Sequence, residues 1–346
     1  RAQATVNVTH YSRPGLTPLS SAPVAGRGRM LAVSSLGGLY AVIDQAVYSI
    51  DSDWVWTQIG TLFAANTTPV SFTDNGVTGF LVENDASGSQ INLATNAFSQ
   101  ITDPNFLGAT RGDFIDGFCI FNQPNTPNWY CTELFSNTFN GLFFGTKTTW
   151  PDNIQTVIAS ERQAWIMGKY KSEIWINAGL VPFPFQLLSG AIIDHGVVGQ
   201  YAINRSDVEI YWLSQSIEGA RLAMQGTFGQ AQRISTHAIE DEWLTYPRVD
   251  DCIVTTMQIR GHSFVFYDFP TADRTWVFDK ATQEWHEEGW FDGNGVQHRC
   301  KDLFKAFAYG KNVAQDWSSG QLYQRDETNF SDNGRPLTYI RGMPHM

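Results

Sequence analysis

The densest run of proton-transferring side chains is Trp285-His286-Glu287-Glu288, where an imidazole and two carboxylates follow one another. Such a group can mimic a general acid–base pair, but a polar cluster at a strand end is the simpler account. The seven histidines are His10, His195, His237, His262, His286, His298 and His345, and no two are spaced as metal ligands on one helix. Gly-x-Ser-x-Gly, His-Glu-x-x-His, the P-loop and the dinucleotide glycine fingerprint are absent. Asp292-Gly293-Asn294-Gly295 lacks the remainder of a twelve-residue calcium loop and reads as a turn. Ser331-Asp332-Asn333-Gly334 reads as a hairpin turn, since the aromatic that follows a sialidase Asp-box is missing. Arg111-Gly112-Asp113 has the letters of an adhesion tripeptide and nothing more. Glu240, Asp241, Glu242 and the Asp250-Asp251 pair are expected to be solvated. No catalytic, cofactor-binding or metal-ligating residue is expected.

The cysteines, Cys119, Cys131, Cys252 and Cys300, contain no Cys-x-x-Cys pair, which argues against a zinc knuckle or a dithiol redox site. Cys119 and Cys131 stand on neighbouring predicted strands. Buried free thiols are expected there, with a bridge as the alternative.

The elements that hold these residues are short strands. The chain has 346 residues, of which 42% are hydrophobic, 14% aromatic and 16% charged. That composition supplies a large core and excludes a disordered or coiled-coil protein. A net charge of −11 without a run of basic residues disfavours binding to phosphate backbones. No apolar stretch reaches the length of a membrane span. The first residue is Arg1 and no signal-peptide layout follows, so the expectation is a processed or trimmed chain.

One style of segment recurs, an aromatic-rich strand, a tight turn and a second strand. Ser172-Glu-Ile-Trp-Ile-Asn-Ala, Asp207-Val-Glu-Ile-Tyr-Trp-Leu and Arg274-Thr-Trp-Val-Phe-Asp-Lys are the clearest cases. The most hydrophobic strand of each unit centres on Val42, Leu81, Ile120, Ile166, Ile210, Val265 and Phe307, with gaps of 39, 39, 46, 44, 55 and 42. Four strands of about five residues with their turns need roughly 40–50 residues, the period of a propeller blade. The fold expected is all-β, a β-propeller of six or seven four-stranded blades with long loop insertions and one short helix; stacked β-sandwiches are the alternative.

The boundaries expected are an N-terminal arm over 1–28, the propeller over 29–342 and, at 343–346, the start of a further C-terminal part. The first unit predicts strands at Met30–Ser35, Leu39–Ile43, Ala46–Ile50 and Trp54–Gly60, and the last includes Leu337–Arg341. A Pro/Asn-rich stretch and a long apparent loop make 122–150 an expected insertion. Ser235 or Thr236 can cap a short amphipathic helix over Thr236–Tyr246, with Ile239 and Trp243 on one face. The tryptophans on predicted strands (Trp165, Trp175, Trp212, Trp276, Trp285) are expected to seal blade against blade, a sugar-stacking platform being the alternative.

From Ser172 to Cys300 the motifs also occur in a known order. Glu173-Ile-Trp-Ile-Asn-Ala-Gly179, Phe183-Pro-Phe185 and Gly190-Ala-Ile-Ile are followed by Arg233-Ile-Ser-Thr-His-Ala-Ile-Glu240, then by Gly261-His262 and Phe269-Pro-Thr-Ala-Asp-Arg-Thr-Trp276. Asp279-Lys-Ala-Thr-Gln-Glu-Trp-His-Glu287, Gly320-Gln-Leu-Tyr323 and Asp332-Asn-Gly-Arg-Pro336 complete the string. The string resembles the packaged-DNA stabilisation protein of short-tailed bacteriophages, also called the tail hub or tail accessory factor. The first 150 residues agree loosely, through Gln3–Asn7 and Gly38-Leu-Tyr-Ala-Val42.

The resemblance implies a non-enzymatic virion protein of the tail, assembled in the host bacterial cytoplasm. Several copies, hexameric by the resemblance, would form a ring below the portal and its adaptor. That ring would extend the DNA channel and, with a needle, spike or fibre protein, hold the genome until ejection. DNA would pass without sequence-specific binding, and no cofactor is implied. The class set against this is a glycan-binding or glycan-cleaving propeller.

Subunit and partner contacts are expected at the two segments that interrupt the blade repeat, through Trp129, Tyr130, Phe143, Phe144, Trp150 and Trp243. Closing the propeller rim is the other role these aromatics could have. Deleting Pro124–Asn140 is expected to leave a folded protein that fails to join tails.

Overall fold

Tight turns set the local structure. Ile115 pairs with Phe118 across Asp116-Gly117, whose φ values are +50° and +90°. Ile259 pairs with His262 across Arg260-Gly261, at +51° and +79°. Two consecutive left-handed residues make the hairpin turn whose twist matches that of its strands, and glycine enters the second position without a steric cost. Each of these turns joins the first strand of a blade to its second. The second strands Leu39–Ile43, Thr78–Val82 and Phe118–Asn122 are buried along their whole length. They have ladder partners on both edges and packed blades on both faces, so they read in the sequence as mostly apolar runs without polar alternation.

The computed structural model describes residues 12–65, 67–83, 86–292 and 294–338. Six antiparallel four-stranded sheets follow in chain order over 28–61, 71–100, 112–146, 154–193, 203–233 and 253–288. These are blades one to six. Blade seven takes three strands from the end of the chain, Asp302–Ala308, Lys311–Asp316 and Gln321–Asp326. Its outer strand, Gly15–Ser21, comes from the beginning and runs antiparallel to Gln321–Asp326, with Gly15 opposite Asp326 and Ser21 opposite Gln321. The first strand of each blade lies against the first strands of its neighbours, including Asp302–Ala308 against Gly28–Val33, so the ring is closed. The fold is a seven-bladed β-propeller.

Six of the seven expected centres fall on second strands, and Phe307 falls on the first strand of blade seven, where it is 67% exposed. Two boundaries differ from expectation. Segment 122–150 is not an insertion: Asn128–Thr132 and Phe139–Thr146 are the third and outer strands of blade three. Its Pro/Asn-rich part is the turn between the second strand and the third. Deleting Pro124–Asn140 would therefore remove a buried strand and could not leave the blade folded. Likewise, the segment expected to be a free N-terminal arm contains the strand that closes the ring. The expected strand Leu337–Arg341 is not formed at its two described residues, and its remainder, together with 343–346, lies outside the described residues, as do Gln3–Asn7.

The helix His237–Leu244 crosses between blades five and six, with Thr236 at the N-cap position in extended backbone but without a side-chain capping bond. Ser235 instead accepts the Ala223 N–H at 3.0 Å and donates to Glu240, pinning the helix start to blade five. Ile239 and Trp243 are buried, as the spacing predicts. Between blades four and five, Trp165 and Trp212 meet edge to face at 6.0 Å, the arrangement that ring quadrupoles favour. All four cysteines are buried free thiols.

Candidate functional site

The six expected contact aromatics divide by burial. Trp129 is fully buried, its ring 5.4 Å from Trp175, 5.1 Å from Phe183 and 5.2 Å from Phe185 of blade four. Tyr130 is buried and donates its hydroxyl to the Gly108 carbonyl at 2.7 Å. Trp243 is buried against Tyr267, Phe269 and Trp285. Phe143 is half-buried against the cluster that contains Trp129. None of these four is an exposed anchor: each packs one blade onto the next, the role set against the contact role in the sequence. Phe144 and Trp150 remain at the surface, 52% and 36% exposed.

Further exposed apolar side chains lie on the outer edges of blades three and four. Leu142 is two residues from Phe144 on the same outer strand and is exposed. The loop after Ser172–Asn177 brings Phe183 onto Trp129 and carries exposed Leu180 and Val181. Leu187 and Ile192 are exposed on the outer strand of blade four. Outer strands are sheet edges with unpaired backbone groups, so apolar side chains there suit a partner.

A second feature lies on the propeller axis. Tyr201 stands two residues before the first strand of blade five, Ile203–Ser206. Its hydroxyl lies 2.8 Å from the Pro69 carbonyl and 3.2 Å from the Thr110 carbonyl, on the approaches to blades two and three. Its side chain packs against the hydrophobic cluster drawn from blades one, six and seven, of which Leu31, Ile253 and Leu303 are members. Arg111 reaches back and donates to the Ile203 carbonyl at 2.8 Å. The Tyr201 hydroxyl thus reaches the approaches to two other blades, and the axis is bridged at the end where the first strands begin. Nothing in the sequence singled out Tyr201. Arg111, noted only for its tripeptide, is one of the residues that span the axis.

A third feature is a chain of buried charges at the ring closure. Lys305 lies 3.4 Å from Asp268 and hydrogen-bonds the Asp302 and Leu303 carbonyls. Arg325 donates to Asp302 at 2.7 Å and to Glu288 at 3.1 Å. Arg13, just before the closing strand, pairs with Asp332 and donates to the Gly289 carbonyl at 3.2 Å. Burial alone would raise the Glu288 carboxyl, but Arg325, His286 and Arg13 outweigh it and hold the group well below the carboxylate range. Burial dominates at Asp268 and raises it, with Lys305 opposing. This chain joins the segments around Arg13 and Asp332 to blades six and seven, a structural clasp.

The other candidate groups resolve in the same way. Glu288 is buried in the clasp, whereas the sequence suggested a surface cluster, and its neighbour Glu287 pairs with Arg274 at 3.3 Å. Asp292 accepts the N–H groups of Asn294 and Val296 and so closes a turn. Asn333-Gly334, at φ +49° and +84°, turns the hairpin of Ser331–Asp332 and Arg335–Pro336. Among the described residues no three His, Cys, Asp or Glu side chains are grouped to hold a metal ion. Among them, too, no helix is long and apolar enough to cross a membrane.

Solved propellers share this architecture at low identity. The extracellular domain of the putative one-component system BT4673 from B. thetaiotaomicron superposes with a TM-score of 0.59 at 10% identity, over 91% of this chain and 40% of that one. The chain thus spans well under half of that protein's length. Virginiamycin B lyase from Staphylococcus aureus superposes with a TM-score of 0.60 at 11% identity, over 89% of this chain and 98% of the lyase. At such identities the likeness shows the fold alone. No curated protein matches the sequence. The profile of the phage stabilisation family, described as "Bacteriophage P22 Gp10, beta-propeller", matches residues 3–329. With nearly the whole chain matched and the seven-bladed fold in place, the protein belongs to this family of phage packaged-DNA stabilisation proteins and has a structural role in the phage.

Proposed function

We propose that the protein is the tail hub subunit of a short-tailed phage. In this reading several copies form a ring below the portal and adaptor, and the ring's shared lumen extends the DNA channel. The observation that carries the reading beyond family membership is the bridged axis: with Tyr201 bonded across to the approaches of blades two and three, a duplex has no path through one propeller. DNA must then run between subunits. The exposed Leu142, Phe144, Leu180 and Val181 supply the apolar side surface that a ring contact needs. An acidic chain suits a lumen that DNA slides along, because no counterion-releasing basic track holds it.

The subunit works without catalysis in this account. A needle, spike or fibre protein and the adaptor complete the assembly, which is built in the host cytoplasm and carried in the virion tail. Crosslinking in intact virions tests it. Crosslinks from this protein to itself and to portal-proximal tail proteins are expected, whereas crosslinks confined to the capsid shell would overturn it.

A further inference from the structure

A cleft of about 430 Å³ opens between blades six and seven, lined by Pro270, Asp273, Trp290, Arg299, Lys301 and Trp317, among others. It lies apart from both the axis and the exposed edge of blades three and four. The hairpin of Trp290–Phe291 and Gln297–His298, added outside the blade repeat, forms one wall.

Arg299 is the unusual group. It is 5% exposed, and its Nε and Nη1 atoms are buried without a hydrogen-bond partner. Its guanidinium lies 4.0 Å from the centre of the Trp317 ring, which fixes the plane of the fork. The acids beside it are engaged elsewhere. Asp273 accepts from His298 at 2.6 Å and from the Arg299 backbone, and its nearest approach to the guanidinium is 3.9 Å. Asp316 is taken by Ser318, Ser319 and Tyr323. Burial pushes the guanidinium below its ordinary value, with Asp268 and Asp273 opposing. An arginine stays protonated in proteins, so a buried cation with one long ion pair, to Asp273 at 3.9 Å, and two fork atoms without a hydrogen bond lines a cleft of side-chain size. Such a charge is expensive unless an anion meets it.

Local chemistry narrows the anion. Trp290 offers no free platform for a sugar, because His298 stacks on it at 4.7 Å and Lys301 and Arg335 lie over its ring. The two acids already in the wall repel a dianion such as phosphate more than a single carboxylate. A planar guanidinium fork matches a carboxylate bidentately. We propose that this cleft receives a carboxylate side chain from an acidic segment of a partner protein, with Arg299 as the fork and Lys301 as the second cation.

The test is titration of the full chain with an acetylated tetraglutamate amide, following tryptophan fluorescence and calorimetric heat. Inorganic phosphate and glucuronate serve as competing chemistries. Saturable peptide binding is expected, weakened about tenfold or more by Arg299→Gln and less by Lys301→Gln, with the melting temperature recorded for each. Should Arg299→Gln fail to fold, Lys301→Gln with the salt dependence carries the test, because a loss of affinity in both is required. Absent saturation, an unchanged affinity in the variants, or equal binding of phosphate or glucuronate would overturn the proposal.

Discussion

The phenolic oxygen of Tyr201, on the approach to blade five, lies 2.8 Å from the carbonyl oxygen of Pro69, on the approach to blade two. These residues are 132 positions apart in sequence and on opposite sides of the ring. The contact ties distant blades together across the axis, as does the bond from Arg111 to the Ile203 carbonyl. Tyr201→Phe keeps the ring and removes the bond, so the free energy of unfolding should fall by about 1 kcal/mol. Urea denaturation measures it; unchanged stability would mean that the hydroxyl does not bind across the axis.

The ring closure should be sensitive to acid. Glu288 and Asp302 would both be raised by burial, but their cationic neighbours, Arg325 foremost, lower them. Their contribution is therefore complete above the unfolded values, about 4.3 and 3.9, and is lost as pH falls through the lower folded values. Asp268, raised by burial, works in the opposite sense and offsets part of the loss. The protein should lose stability below about pH 4. Glu288→Gln should cost about 3 kcal/mol at pH 7, where Arg325 is left short of a partner, and should show a shallower acid decline. Urea midpoints at pH 7, 4 and 3 check both statements.

Blade packing should tolerate little added volume beside the paired tryptophans. A Cβ on Gly226 would lie 2.7 Å from Trp165 and 2.8 Å from Trp212. Both rings are buried between blades four and five, so neither can swing away. Gly226→Ala should destabilise by about 1–3 kcal/mol through overpacking, read as a lower thermal midpoint. An unaltered midpoint would show that the interface between these blades is looser than the ring contacts indicate.

The edge of blade three should matter for assembly and not for folding. Phe144→Glu alters a side chain that is 52% exposed on an outer strand. Surface changes of this kind stay within about 0.5 kcal/mol of the parent. The variant should fold and then fail to enter tails, as measured by its incorporation into purified particles. Normal incorporation would remove this edge from the ring contact.

The sequence made the repeat legible because second strands such as Leu39–Ile43 are buried on both faces and carry no alternation to blur them. The hairpin turn at Asn333-Gly334 was legible for its residue types. The closing strand Gly15–Ser21 was not, because Pro18 interrupts it, its register shifts after that residue and its partner lies 300 positions away. The aromatics at 129, 130 and 243 misled for a related reason. Whether such a ring is core or contact is decided by what the next blade brings, here Phe183 and Phe185 against Trp129 and Trp285 against Trp243. Tyr201 carried no signal, because its role depends on carbonyls from two other blades.

Imaging of intact virions by electron cryo-microscopy tests the central claim most directly. The account predicts copies of this propeller in a ring below the portal, with DNA density in the shared lumen and none along any propeller axis. Density for DNA threading a single propeller past Tyr201, or a tail without this fold, would contradict it.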